Sequence, residues 1–324
     1  MNNTSDWRPT ASLENIKLRA RVLAEIRAFF SARDVIEVET PLLSLAGSTD
    51  PYLESFTSHY QGPLFPAGQT VYLQTSPEFA MKRLLAAGSG AIYQICKAFR
   101  NGEAGGQHNP EFTMLEWYRP GFDHHVLMDE VETLIDAVLK VGPARRITYR
   151  ELFLEYVELD PFELSAADAR VCLQARDVNP PELADAAIDD WLALIMTHLI
   201  EPELGPGPVF VYDFPASQAM LARVAPTEPP VAQRFELYIN GMELANGFYE
   251  LSDAAEQRRR FQADLKQRQQ LGLDAVMMNQ ALIDALESGL PDCAGVALGL
   301  DRLLMLAAGA EEISGVLVFS VDRC

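Results

Sequence analysis

Phe235-Glu236-Leu237-Tyr238-Ile239-Asn240-Gly241-Met242-Glu243-Leu244-Ala245 sets two short mixed runs on either side of Asn-Gly. Asn-Gly between such runs is the strongest short-range hairpin signal, so this stretch predicts an antiparallel pair. A two-residue loop pairs Ile239 with Met242 and Tyr238 with Glu243. Glu236 and Glu243 then become diagonal neighbours on one face. Carboxylates that close repel unless a cation lies between them or one holds a proton. Taken alone, the hairpin favours two solvated carboxylates; the sharper reading is a Mg²⁺ shared with a nucleotide phosphate.

Working outward, Ile92–Arg100 and Phe112–Tyr118 are two more strands, joined by the eleven residues Asn101–Glu111. That is long for a hairpin connection, and long loops in compact domains tend to be functional. On the return strand Phe112, Met114, Glu116 and Tyr118 share one face, with Leu115 and Trp117 on the other. Arg100 heads the loop, where a guanidinium can grip a phosphate or carboxylate bidentately. A surface salt bridge is its commoner use, and for Phe112 core packing outweighs stacking on a base. Arg302 follows Gly299 at a strand-to-helix junction, where helix amides favour anions.

The remaining elements are plainer. Leu18, Val22, Ile26 and Phe29, widened by Leu23 and Phe30, form the stripe of an amphipathic helix. A short strand from Val35 to Thr40 stops at Pro41. Val71–Thr75 is a strand and Phe79–Ala87 a helix. Residues 128–204 are mainly helical, Val209–Phe214 is a strand, and Gln257–Gln270 is a polar helix rich in Arg. Gly295–Gly299 and the residues after it are a strand followed by a helix. His124-His125 is best explained as a solvated loop with diverging rings.

The composition bounds the functions available. The chain has 324 residues, with 26 Lys+Arg against 46 Asp+Glu, a net charge of −20. At 48% hydrophobic and 22% charged it has material for a large core. Its acidity argues against a broad phosphate-tracking surface. No apolar run approaches the ~18 residues of a membrane span, and Met1–Asp6 lacks the basic flank and apolar stretch of a leader. Four dispersed cysteines indicate free thiols in a reducing cytoplasm rather than a zinc or disulfide framework.

In combination these motifs resemble class II aminoacyl-tRNA synthetases, and among them the lysyl type. The first family motif resembles the helix to Phe30 followed by Val38-Glu39-Thr40-Pro41-Leu42. The second is similar to Phe99-Arg100-Asn101 with His108-Asn109-Pro110-Glu111-Phe112-Thr113-Met114, and the third to Gly299-Leu300-Asp301-Arg302. Gly247-Phe248-Tyr249-Glu250-Leu251 is similar to the lysine-type signature. The likeness runs from about Leu13 to Arg323.

The resemblance implies an α+β fold: one catalytic domain over 1–324, with a mainly antiparallel six- or seven-stranded sheet flanked by helices. Residues 128–208 would be a mostly helical connection. It also implies a homodimer formed through the first motif. The chain starts almost at the catalytic helix, without an anticodon-binding barrel. It is therefore similar to the ligases of this family that attach (R)-β-lysine to elongation factor P, and stable tRNA binding is not expected.

By motif position, the resemblance gives ATP binding to Arg100, Asn101, Gly102, Glu103, His108, Asn109, Phe112, Glu243, Leu244, Gly299 and Arg302. Arg100 and Arg302 would be catalytic, and Glu236 and Glu243 would carry Mg²⁺. Ser76, Glu78, Glu116, Tyr118, Glu250 and Ala297 would bind lysine or β-lysine, whose ammonium groups need paired negative charge when buried. Strict alternation from Glu243 puts Glu250 on the wrong face, and a bulge at Gly247 would correct it.

Two departures stand out. The family places Glu two residues after its motif 2 Arg, where this chain has Gly102, with Glu at 103. Synthetases have Gly where this chain has Ala297, a methyl group that would favour a β-amino acid. A minimal lysyl-tRNA synthetase, an asparagine-synthetase-like enzyme and a non-catalytic paralogue acting as a binding module are the alternatives.

Overall fold

The computed structural model of the chain describes residues 7–180 and 187–324. The opening Met1–Asp6 and residues 181–186 of the helical connection lie outside them. Contacts divide the chain into two compact units, 1–121 with 252–292 and 297–324, and 122–251 with 293–296.

The first unit opens with α1 (Leu13–Ser31), capped by the Ser12 side chain and buried along Val22, Ile26 and Phe30. Phe30 stacks on Tyr93 at 4.4 Å and meets Trp117 edge-on at 5.4 Å, so the helix stripe seats on one face of the sheet. Burying an aromatic of this kind contributes about 1.5–3 kcal/mol. β1 (Ile36–Glu37) is shorter than the run from Val35 to Thr40 suggests. It pairs in parallel with Ile92 and Tyr93 for two residues, and Val38 N–H still donates to Tyr93 O. Pro41 then has no N–H to extend the ladder.

β2 (Leu43–Ser44), β3 (Thr57–Gly62) and β4 (Phe65–Leu73) form a separate sheet in the order β2-β4-β3. The expected strand at Val71 is the end of β4. α2 (Glu78–Ala86) leads to β5 (Ile92–Phe99) and β6 (Glu111–Pro120), which pair antiparallel from Ile92↔Tyr118 to Phe99↔Glu111 without a register shift. Ile92, Gln94, Cys96 and Ala98 therefore share a face with Phe112, Met114, Glu116 and Tyr118. Tyr93 and Trp117 lie on the other, toward α1.

The second unit holds α3 (His124–Leu139), β7 (Arg145–Thr148), α4 (Tyr149–Val157), α5 (Ala166–Gln174), α6 (Ile188–Ile195), β8 (Pro208–Pro215), β9 (Val224–Ala225), β10 (Val231–Ile239) and β11 (Met242–Tyr249). Helices dominate before β8, as the sequence predicts for its described part. They bury Leu152, Phe153, Leu173, Trp191 and Ile195 together with Val211 and Phe214 of β8. His124 overturns the solvated-loop expectation. It opens α3, is 3% exposed, and its ring lies 4.1 Å from that of His125 instead of diverging. The cause is local: Asp123 caps Val126 N–H and winds the pair into the first helical turn.

The chain returns to the first unit with α7 (Ala254–Gln270) and α8 (Gln280–Gly289). β12 (Cys293–Gly299), whose residues are divided between the units, follows, and then α9 (Leu300–Ala308). The arginines of α7 are matched within their own unit. Arg258 pairs with Glu287, Arg259 and Arg260 with Glu256, and the buried Arg268 donates to Asp50 O and Asp274 O.

The large sheet has nine strands in the order β1-β5-β6-β12-β11-β10-β8-β7, with β9 on β10. It exceeds the expected six or seven because short β1 and β7 add at its two edges in parallel and β9 adds beside β10. No described helix is long and apolar enough to cross a membrane.

Candidate active site

In the first unit, regular β5–β6 pairing leaves the long loop projecting from one end. Arg100 N–H donates to Pro110 O, closing the loop neck. Its guanidinium lies 3.7 Å from the Glu103 carboxylate and over the Phe112 ring at 5.2 Å. Gly102 has φ of +82°, a conformation that resists any side chain. The carboxylate that the family pattern puts at 102 therefore stands one residue later and still reaches the arginine. Arg100 Nε is buried with no hydrogen-bond partner among the described residues, and so retains a donor.

The far side of the loop is pinned from the end of the chain. Ile313 N–H donates to Gly106 O, and Val321 N–H donates to Asn109 Oδ1. Asn109 Nδ2 donates to Glu111 O at 2.6 Å, so this amide fixes loop shape through hydrogen bonds to the backbone. Arg302 Nη2 donates to His108 Nε2 at 2.7 Å, which requires the imidazole to be neutral at that nitrogen. Partial desolvation, then the adjacent Arg302 charge, hold His108 below its usual range.

Arg302 is placed by its predecessor. Asp301 accepts Thr113 N–H at 2.6 Å and pairs with Arg19 of α1. One buried carboxylate thus ties α1, β6 and α9 together. Sequence reading gave no role to Arg19, or to Asp301 although it stands in the third motif. At Gly299 φ is an ordinary −71°, and an added Cβ would meet Arg302 at 3.5 Å or beyond. Nothing in the chain itself demands glycine there. Ala297 and Gly299 are half-buried, while their neighbours Val296 and Leu298 are buried.

Along the same β5–β6 face lies a hydroxyl–carboxylate network. Ser76 Oγ donates to Glu116 Oε2 at 2.9 Å, Tyr118 Oη donates to Glu116 Oε1 at 2.6 Å, and Glu78 N–H donates to Ser76 Oγ. Ser76, Glu78, Glu116 and Tyr118 are therefore brought together. Glu78 is paired, however, with Lys82 Nζ at 2.7 Å, and that lysine is 1% exposed. Of the three anticipated carboxylates Glu78, Glu116 and Glu250, Glu78 is thus balanced from within. Burial and then the Glu116 charge push the Cys96 thiol up to about 12.

The second unit supplies the carboxylate hairpin. Ile239 pairs with Met242 and Tyr238 with Glu243, but Leu237 then pairs with Ala245. Leu244 is the extra residue of a bulge, and its side chain is buried. This shift puts Glu236, Tyr238, Glu243, Asn246 and Phe248 on one face, and continued alternation brings Glu250 with them. The expected correction exists, but at Leu244. Gly247 pairs regularly with Phe235 and is needed for space, since a Cβ would sit 2.3 Å from that ring.

Both oxygens of Glu236 are engaged, by Arg234 Nη2 and Tyr238 Oη. Arg234 is 5% exposed, lies over the Phe214 ring at 4.2 Å, and donates to Gln218 O. Burial, then the charges of Glu236 and Glu243, hold the Tyr238 phenol far above its usual range. Asn246 Nδ2 lies 3.5 Å from Glu236, and its Oδ1 is buried without a partner among the described residues. It offers a third oxygen beside the two carboxylates, and neither Asn246 nor Arg234 was singled out in the sequence. Glu250 is buried, its backbone fixed by Cys293 O and Arg223.

The described residues contain no cluster of three or more metal-binding His, Cys, Asp or Glu side chains. A two-carboxylate oxygen set suits a Mg²⁺ that takes its other ligands from phosphate and water.

A profile of tRNA synthetases class II (D, K and N) matches residues 1–323. An elongation factor P–(R)-β-lysine ligase of Vibrio cholerae is 52% identical over 323 residues, covering 98% of this chain and 99% of that protein. Ligases of the same name from Salmonella typhi and Erwinia tasmaniensis are 48% identical with full coverage of both chains. With the profile spanning the chain and these identities along its whole length, the protein belongs to the class II tRNA synthetase family of the D, K and N type.

Proposed function

We propose that the chain, as one catalytic domain, activates (R)-β-lysine with ATP and transfers it to the ε-amine of a lysine on elongation factor P. The observation that carries this reading is full-length identity to ligases named for that reaction. The Ser76–Glu116–Tyr118 network supports it, being an anionic floor suited to an ammonium group.

In the first step the substrate carboxylate attacks the α-phosphate of ATP in line, forming an acyl-adenylate and releasing pyrophosphate. In the second, the acceptor amine attacks the acyl carbon; an amide forms, AMP leaves, and the amine loses its proton. Arg100 would neutralise charge at the α-phosphate, and Arg302, oriented by its contact with His108, would bind the adenine or γ-phosphate end. Glu236 and Glu243, with Asn246 Oδ1, would hold Mg²⁺, which supplies charge neutralisation on the phosphates. No enzyme nucleophile is needed, because positioning and preorganised charge can carry such a step.

Exposed Ile36, Leu42, Leu43 and Leu45 support a homodimer formed through the first motif. The net charge of −20 supports protein modification over stable tRNA binding, and free thiols support a cytoplasmic setting.

Incubation with ATP and labelled lysine isomers, with elongation factor P and bulk tRNA offered in parallel, tests the proposal. Mass should add to the protein acceptor and not to tRNA; the reverse would identify a minimal lysyl-tRNA synthetase, and no adenylate at all a binding module. Ala297→Gly should move the ratio of β- to α-lysine activation toward α-lysine, and an unchanged ratio would remove Ala297 from selectivity.

A further inference from the structure

The face of β5–β6 that carries Glu116 also carries an acceptor that nothing in the described protein answers. Gln94 stands directly opposite Glu116 in the register and is 2% exposed. Its Oε1 has no hydrogen-bond partner among the described residues. An unanswered buried acceptor costs about 1–3 kcal/mol, and most native structures avoid it. Gln94 interacts through its side chain with Cys96 on the same face.

Four donor side chains of the same unit have partners of their own. Ser76 and Tyr118 give their hydroxyl protons to Glu116, Gln74 Nε2 donates to Lys97 O and Cys96 Sγ, and Lys82 pairs with Glu78. Directly opposed residues of an antiparallel pair have Cβ atoms about 4.5–5.5 Å apart, so Gln94 and Glu116 can reach one bound group together.

We propose that Gln94 is a substrate-binding residue: its Oε1 accepts an N–H from the ammonium group whose charge Glu116 balances. This rests on the reading of the Glu116 face as the diamine site. An ammonium carries three donors and no acceptor. Glu116 supplies charge, while Gln94 supplies a second acceptor without adding a second buried anion, which would require its own counter-ion. The empty site bears the cost of the orphaned oxygen and the filled site relieves it, so part of the discrimination for an amine is built into the ligand-free protein.

Calorimetric titration with (R)-β-lysine and thermal melting of the ligand-free protein test this. Gln94→Met should weaken binding about tenfold or more, the penalty typical of a lost contact to a charged donor. Ligand-free Gln94→Met should melt no lower than wild type, because the substitution removes an unsatisfied group. In pyrophosphate exchange the loss should appear in KM, with kcat within about twofold. Gln94→Glu keeps an acceptor and should bind within about threefold of wild type, or more tightly.

Binding by Gln94→Met within about twofold of wild type would overturn the proposal and leave the oxygen to a water. A folded Gln94→Glu protein with tenfold weaker binding would overturn it too. A wild-type protein that binds no diamine would instead remove the reading of the pocket, and this inference with it.

Discussion

Two hairpins carry most of the candidate chemistry, and they are built on opposite plans. β5–β6 keeps one register throughout and puts its irregularity in a long loop. β10–β11 has a two-residue turn and puts its irregularity inside the ladder, at Leu244. In the first, counting by twos from Phe112 finds Glu116 and Tyr118 on one face. In the second the same count fails, because one extra residue reverses every side chain beyond it. Regular strands with irregular loops advertise their functional face in sequence; irregular strands with tight turns conceal it.

The largest effect that can break this comparison lies at the loop neck. Arg100→Ala should lower lysine-dependent pyrophosphate exchange by about 10²–10³-fold, as expected for removal of a preorganised charge donor. Retained exchange would move the centre of activation away from β5–β6. The glycines of the two hairpins sharpen the contrast further. Gly247→Ala drives a Cβ to 2.3 Å from the Phe235 ring and should destabilise the protein by about 2–3 kcal/mol in chemical denaturation. Gly102→Ala meets nothing within 4 Å. It pays only for a positive φ, about 1 kcal/mol, with the melting point little changed.

The smallest effect concerns pH. The neutral His108 ring accepts from Arg302, and its pKa lies below the usual 6.5. The contact is therefore intact above pH 6.5. It is lost as pH falls from there through the lowered folded value, because the folded protein binds fewer protons than the unfolded chain in that window. Nucleotide affinity measured from pH 7.5 to 5 should follow this loss in wild type. His108→Gln, which keeps an acceptor without titrating, should flatten that part of the profile.

Much of this was legible in the sequence. The helix stripe through Val22, Ile26 and Phe30, the Asn-Gly turn, and the order of the three motifs each rest on local periodicity or turn chemistry. What escaped depends on partners distant in the chain. Arg19 shows its purpose only when Asp301 is beside it. The pairing of Glu78 with Lys82 is a four-residue helical neighbour relation, yet only burial shows that it balances a pocket charge. The Leu244 bulge has no sequence signature, since nothing in Met242-Glu243-Leu244-Ala245 distinguishes the extra residue. His124 looked solvated because its helix cap, Asp123, was not recognised.

The pins on the β5–β6 loop also bear on how the protein is made. Gly106 and Asn109 leave the ribosome about two hundred residues before Ile313 and Val321, which hold them. A nascent chain can form the β5–β6 ladder early, but it cannot fix the loop until Ile313 and Val321 have been made. A product truncated before Ile313 would carry Arg100 at the neck of a loop without its clasp, even with Arg302 of α9 already made.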